Sequence, residues 1–250
     1  MLDRAPQHLG TQVTDAFTES AEHYDVLVGL NPGYHEHLRA SARALLAEVD
    51  DDGPLRLLDL GCGSGASTAA LVTAVHEHGR GEECEVEGMD ASEGMLAAAR
   101  RKSWPGWVRF RHGRAQDLGR GGPGEGGLDG VLAAYLVRNV PERDELLADL
   151  FRALRPGGVL VLHEYAVRGD RWASAVWTLV CWSVVIPLAA VVTRQSRLHR
   201  YLWRSVLDFD SLEQLQQRLH LAGFDRIRNR TFGNWQRGIL HTVVAVKPRG

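Results

Sequence analysis

Lysine is nearly absent from this chain. Lys102 and Lys247 are the only two in 250 residues, and arginine supplies the rest of the 29 positive charges. Against 31 acidic residues this leaves a formal net charge of −2. Without a broad basic face, the composition excludes nucleic acid as the expected partner. Cysteine is scarce too: Cys62, Cys84 and Cys181 are odd in number and far apart. That excludes a disulfide framework and a cysteine metal site, and it points to a reducing cytoplasm. The N-terminal residues are polar and lack the apolar stretch of a signal peptide. What remains is the composition of an ordinary globular protein, 44% hydrophobic and 24% charged, with room for one large α/β domain.

The pattern is helical over 14–49, broken at 29–34 by "GLNPGY". The first helix would carry Phe17, Tyr24 and Leu27, the second Leu38, Leu45 and Leu46. Beyond a turn at 50–54, strands and helices alternate. Strands are expected at 55–60, 84–89, 107–111, 130–135 and 159–162, and helices at 67–78, 94–101 and 142–154. Such alternation predicts a parallel sheet with crossover helices. The glycine-rich run 119–127 reads as a surface loop. A helix follows at 211–222, then strands near 226–232 and 239–246.

The stretch "LLDLGCGSGAST" (57–68) carries the strongest chemical signal. A strand, a glycine turn and a helix start place a ligand at the carboxyl end of a sheet. The dinucleotide form needs G-x-G-x-x-G. Here Gly61, Gly63 and Gly65 alternate instead, and Asp59 sits at the strand end. That acid repels a pyrophosphate and disfavours a nicotinamide oxidoreductase. It suits the ammonium and sulfonium of S-adenosylmethionine, with Ser64 in the same turn. A second acid should close the second strand and accept ribose hydroxyls, and Asp90, followed by Ala91, stands there. The bland alternative is a tight turn beside a surface acid.

With these residues in register, the sequence resembles the class I S-adenosylmethionine methyltransferases. More narrowly, it resembles the ubiquinone/menaquinone biosynthesis C-methyltransferase family. "AFTESAEHYD" (16–25) with "GYHEHLR" (33–39) is similar to that family's N-terminal lid. "YLVRNVPERDELLADLFRALRPGGVLVLHEY" (135–165) is similar to its fourth strand, Arg-Asn-Val element, helix and fifth strand. "VVIPLAAVVTRQSRLHRYLWRSVLDF" (184–209) is similar to its apolar segment. Three positions depart from the pattern: Arg114 before Ala115, Ala134 at the end of strand four, and the Trp235-Gln236-Arg237 run.

The resemblance implies a doubly wound, mostly parallel seven-stranded α/β sheet of Rossmann-like type. An N-terminal helical lid (1–50), a cofactor-binding core (51–168), an apolar helical cover (169–210) and a closing helix with two strands (211–250) follow from it. Arg114, Ala115 and Ala134 would border the adenine side. Arg138 and Asn139 would hold a water or a phenolate, and Tyr24 would reach over the cofactor. His163 is a candidate base after strand five. Each has a structural alternative: a helix cap for the Arg138–Asn139 pair, a core aromatic for Tyr24, a packed imidazole for His163. The expected activity is methyl transfer from S-adenosylmethionine to a hydrophobic, phenolic or quinol-like small molecule. An O- or C-methyltransferase of secondary metabolism and a non-catalytic cofactor-binding partner stand as rivals.

Residues 172–192 contain no charge, the length of a membrane span. Pro187 should interrupt a span there, and the chain must return to finish its sheet. A pocket wall for a greasy acceptor is favoured. Peripheral contact with the inner face of a membrane through Trp172, Trp177, Trp182 and Trp203 is compatible with it, and a homodimer interface is the competitor.

Overall fold

The structure is a computed structural model describing residues 29, 31, 33–50, 53–118, 127–192 and 196–249, with backbone alone for 82, 191–192 and 196–199. The first expected helix, with Phe17, Tyr24 and Leu27, and most of the glycine-rich run lie outside the described residues.

Alternating strands and helices assemble as the pattern predicts. The order is α1 (Tyr34–Leu46), β1 (Leu55–Leu60), α2 (Ala66–Glu77), β2 (Cys84–Asp90), α3 (Glu93–Arg100), β3 (Val108–His112) and β4 (Leu128–Ala134). Then come α4 (Arg143–Ala153), β5 (Leu154–Tyr165), α5 (Arg171–Val180), a π turn (Cys181–Val185), α6 (Ile186–Val192) and α7 (Ser196–Asp208). The chain finishes with α8 (Leu212–Leu221), β6 (Asp225–Thr231) and β7 (Leu240–Val246). The seven strands lie in the order β3-β2-β1-β4-β5-β7-β6, with β7 antiparallel to both neighbours and the rest parallel.

Successive side chains of a strand point to opposite faces, so each strand feeds two cores. Leu58 and Leu60 enter one with Leu146, Leu150 and Phe224. Leu55 and Leu57 enter the other with Leu38, Leu45 and Leu71. The strand order turns back between β1 and β4, and in such sheets a ligand sits beyond the carboxyl ends at that point.

Two expectations need correction. Strand five does not stop at 162. It pairs with β7 as far as Tyr165 opposite Leu240, so His163 and Glu164 lie within it. Pro187 does not break its helix either, for α6 runs through it. The π turn immediately upstream changes the hydrogen-bond register where the proline ring would otherwise meet a carbonyl.

Candidate active site

The glycine turn joins β1 to α2 at the switch point. Gly61, Gly63 and Gly65 all take left-handed φ, +74°, +55° and +93°, a region that strongly favours glycine. Space adds a second constraint: a Cβ on Gly65 would lie 2.8 Å from the Trp104 ring.

The turn's own N–H groups are largely spent. Gly61 and Cys62 donate to the Met89 carbonyl and Gly65 to that of Cys62. Gly63 donates to Asp90 Oδ2 at 2.8 Å. A phosphate needs free N–H donors, and this turn offers two carboxylates instead.

Asp59 is fully buried. Its Oδ2 accepts from Ser67 Oγ at 2.8 Å and Thr68 Oγ1 at 2.6 Å, both on the first turn of α2. Its Oδ1 has no partner among the described residues. Burial pushes the carboxyl up to about 7, against the two hydroxyl bonds that lower it.

Asp90 closes β2. Its Oδ1 accepts from the Ser92 N–H at 2.8 Å, so each oxygen has a backbone donor. Burial raises this carboxyl as well. Ser64 is buried, with its carbonyl held by Lys102 Nζ at 2.8 Å. The Ala91 carbonyl lies 3.0 Å from His112 Nε2. Ala115 and Ala134 are buried, whereas the Arg114 side chain is exposed and its N–H donates to Asp117 Oδ2.

Beyond β4 the backbone turns sharply at Tyr135, a non-glycine residue at φ +56°. Its carbonyl gathers the next turn (Val137–Asn139), accepting from Arg138 Nη1 at 3.1 Å and Asn139 Nδ2 at 3.0 Å. Such a left-handed residue costs about 1–3 kcal/mol and persists where its surroundings over-determine it. The Arg138 guanidinium, expected to face an acceptor, closes instead on the Glu164 carboxylate, both side chains being buried. Asn139 does not cap α4, whose N-cap is Glu142. Its Oδ1 accepts from the Tyr201 hydroxyl at 3.2 Å, tying the turn to α7.

His163 is fully buried at the centre of a polar cluster. Nδ1 lies 2.9 Å from both Ser41 Oγ and Thr242 Oγ1, and Nε2 lies 3.1 Å from the Tyr135 hydroxyl. Burial pushes the imidazole down to about 3. Both ring nitrogens are engaged and burial weakens the basicity of the ring, an arrangement that matches a packed imidazole. It joins α1, the turn after β4, β5 and β7. Tyr135, Ser41 and Thr242 carry no recognisable motif, and only the fold brings them together. Tyr24 lies outside the described residues.

The chain can now be compared with known proteins. The ubiE/COQ5 methyltransferase family matches residues 7–247. The chain belongs to that family. Two curated relatives are demethylmenaquinone methyltransferases. The one from Deinococcus radiodurans is 30% identical over 233 residues, 91% of each chain. The one from Thermus thermophilus is 32% identical over 218 residues, 87% of this chain and 95% of its own. Among solved structures, the citrinin polyketide synthase CMeT domain matches with a TM-score of 0.63 at 17% identity, over 90% of this chain and 56% of that one. The DszA carbon methyltransferase matches at 0.57 and 20%, over 83% and 50%. At these identities the structural likeness speaks for the fold alone. The protein is therefore a methyltransferase of Rossmann-like fold, with its glycine turn, Asp59 and Asp90 at the switch point of the sheet.

Proposed function

We propose that this methyltransferase moves a methyl group from S-adenosylmethionine to a ring carbon of a hydrophobic, quinol-type acceptor. The observation that carries the cofactor is Asp59 Oδ1, a buried carboxylate oxygen without a partner among the described residues, beside a glycine turn whose N–H groups are largely spent. Such a site fits a cationic ligand and repels an anionic one. Asp59 would hold the positive end and Asp90 the ribose hydroxyls, with the Gly61–Gly63–Gly65 backbone leaving room for close approach. Ala115 and Ala134 would border the adenine side. When bound, the cofactor supplies an electrophilic methyl carbon on a sulfonium centre.

The protein's remaining work is alignment and exclusion of water. The Tyr135 turn, pinned by Arg138 and Asn139, would set the acceptor edge of the pocket, and α7 would close it through Tyr201. Arg138 is best read as a positioning residue: its charge is committed to Glu164, and both its Nη1 and its partner hold the turn in place. The quinol-type acceptor is supported by family membership and by the names of the curated relatives. The dense apolar cover beside the site accords with it.

The test is incubation with methyl-labelled S-adenosylmethionine and a reduced 2-polyprenyl-1,4-naphthoquinol. Transfer to carbon gives a product one methylene heavier whose label survives ether cleavage. Label lost on ether cleavage would mean O-methylation, and no labelled product would retire this acceptor class. Asp90→Ala should weaken cofactor binding by roughly tenfold or more, from charge-assisted bonds of about 1.5–3 kcal/mol each.

A further inference from the structure

We propose that the outward face of the α5–α6 helix seats this enzyme on a bilayer rich in anionic lipid headgroups. Six large hydrophobic side chains are exposed among the described residues. Five of them, Trp172, Leu179, Trp182, Val184 and Leu188, lie on this one segment, and Trp172 is 78% exposed. The sixth, Leu221, stands alone on α8. A clustering of that kind is not the scatter normal for a soluble surface.

The inner face is accounted for. Ala173, Trp177, Cys181, Ile186 and Ala189 are buried in a single stripe. Its spacing is four, four, five and three residues. The five-residue step falls on the π turn, which keeps the stripe against the core. Trp177 packs on Tyr165 at 4.8 Å between ring centroids, and its Nε1 donates to the Trp203 carbonyl at 3.3 Å. Opposite that stripe, no position from Trp172 to Ala190 carries a charge.

Charge chooses the occupant. Between Asp170 and Asp208 the chain has five arginines, Arg171, Arg194, Arg197, Arg200 and Arg204, and no acidic residue. The whole protein is net negative at −2, whereas this stretch is basic in sequence; Arg171 and Arg200 are exposed, and Arg204 pairs with Asp208. Exposed tryptophan and leucine on a segment flanked in sequence by arginines match the acyl boundary and the phosphates of an anionic surface.

The helix has the length and composition of a span, 20 residues at Arg171–Ala190 with a mean hydropathy of 1.8. Its geometry is that of a helix lying in the interface plane. The Asp170 carboxylate caps its first turn, accepting from the Trp172 and Ala173 N–H groups. The chain then returns through α7 to the Asn139 side chain. The link to the acceptor rests on the quinol reading above: Tyr201 and Trp177 join this helix to the candidate site, so a bilayer-dissolved acceptor would have a short way in. The docking itself does not depend on that reading.

The experiment sediments the full chain with vesicles of phosphatidylcholine alone and with about 30 mol% phosphatidylglycerol. Binding should be roughly tenfold or more tighter to the anionic vesicles, with blue-shifted tryptophan emission, and should weaken as salt rises. A Trp172→Ser/Leu179→Ser variant, altered only at exposed positions, should keep its Tm and its cofactor affinity while losing roughly tenfold in vesicle binding. Equal vesicle binding by variant and wild type would overturn the proposal, as would no binding to either vesicle. Release from cells only by detergent would overturn it in favour of a span. A dimer that the variant dissociates, without vesicle binding, would overturn it in favour of a second copy. Failure of methyl transfer to the quinol, with vesicle binding intact, would count against the acceptor and leave the docking standing.

Discussion

On the proposed cofactor reading, Asp59 should couple cofactor binding to a proton. Its carboxyl is fully buried, one oxygen has no partner among the described residues, and burial holds it at about 7. A cation placed beside that oxygen favours the carboxylate and drives the proton off. At pH 7 half of the free protein carries the proton, so binding should release about half a proton, rising toward about one at pH 6 and falling to about a tenth at pH 8. The assay is calorimetric titration with S-adenosylmethionine in two buffers of different ionisation enthalpy. Affinity should fall up to about tenfold per pH unit well below 7. The same group bears on stability, and the sign follows from the shift. The folded-state pKa lies above the unfolded value near 3.8, so this contribution is fully present below about pH 4. It is lost as pH rises to about 7. At about 1.36 kcal/mol per pKa unit, the loss approaches 4 kcal/mol. Asp59→Asn removes the charge and can still bond Ser67 and Thr68. It should be more stable than the wild type at pH 8 and bind the cofactor more weakly, without proton release. Zero proton release by the wild type from pH 6 to 8, or unchanged affinity in Asp59→Asn, would refute the reasoning.

Three further outcomes follow from buried groups. Arg138→Met or Glu164→Gln should each cost about 3–5 kcal/mol, because each strands a buried partner, whereas the double replacement should cost much less. Urea unfolding of the four proteins measures the coupling. Strictly additive losses would mean that the pair does not act as a unit. His163→Leu leaves the hydroxyls of Ser41, Thr242 and Tyr135 without their shared partner and should cost about 1–3 kcal/mol per stranded group. Because the imidazole titrates near 3, folded His163→Leu should keep the wild-type shape of the turnover–pH profile between pH 6 and 8. Loss of an acid limb there would restore His163 as a base. Gly65→Ala meets both a φ of +93° and the Trp104 ring 2.8 Å away, and should lower Tm and cofactor affinity together. An unchanged Tm would contradict the close approach.

The carboxylates and glycines of the site were legible because their signals are local. Asp59, Gly61, Gly63 and Gly65 fall within seven consecutive positions, and Asp90 closes the next strand. The polar cluster under them was not. Ser41, Tyr135, His163 and Thr242 come from a helix, a turn and two strands, and only the sheet order makes them neighbours. Arg138 was seen as a residue but not with its partner, since an ion pair between a loop and a strand 26 residues apart leaves no spacing rule. The sequence pattern shortens strand five for two reasons. The "RPGG" run at 155–158 looks like a turn, yet β5 begins before it, at Leu154, and passes through with a shift of register against β4. Its far end is set by pairing with β7, a contact invisible in either segment alone. The π turn also escaped notice, because proline in an apolar run normally ends a helix.

Strand β7 comes after β6 in the chain but lies inside it in the sheet. During synthesis, the first five strands emerge in an order that lets each find a neighbour. β6 then leaves the ribosome with nothing to pair with, and the flank of β5 stays open until 240–246 has cleared the exit tunnel. Every residue of Leu240–Val246 is buried, so that flank is an apolar edge, the kind that recruits other chains. A stop codon or ribosomal stall between β6 and β7 should therefore do more harm than its position near the end of the sequence suggests. It leaves a nascent chain with most of its fold built and a sticky slot in the middle.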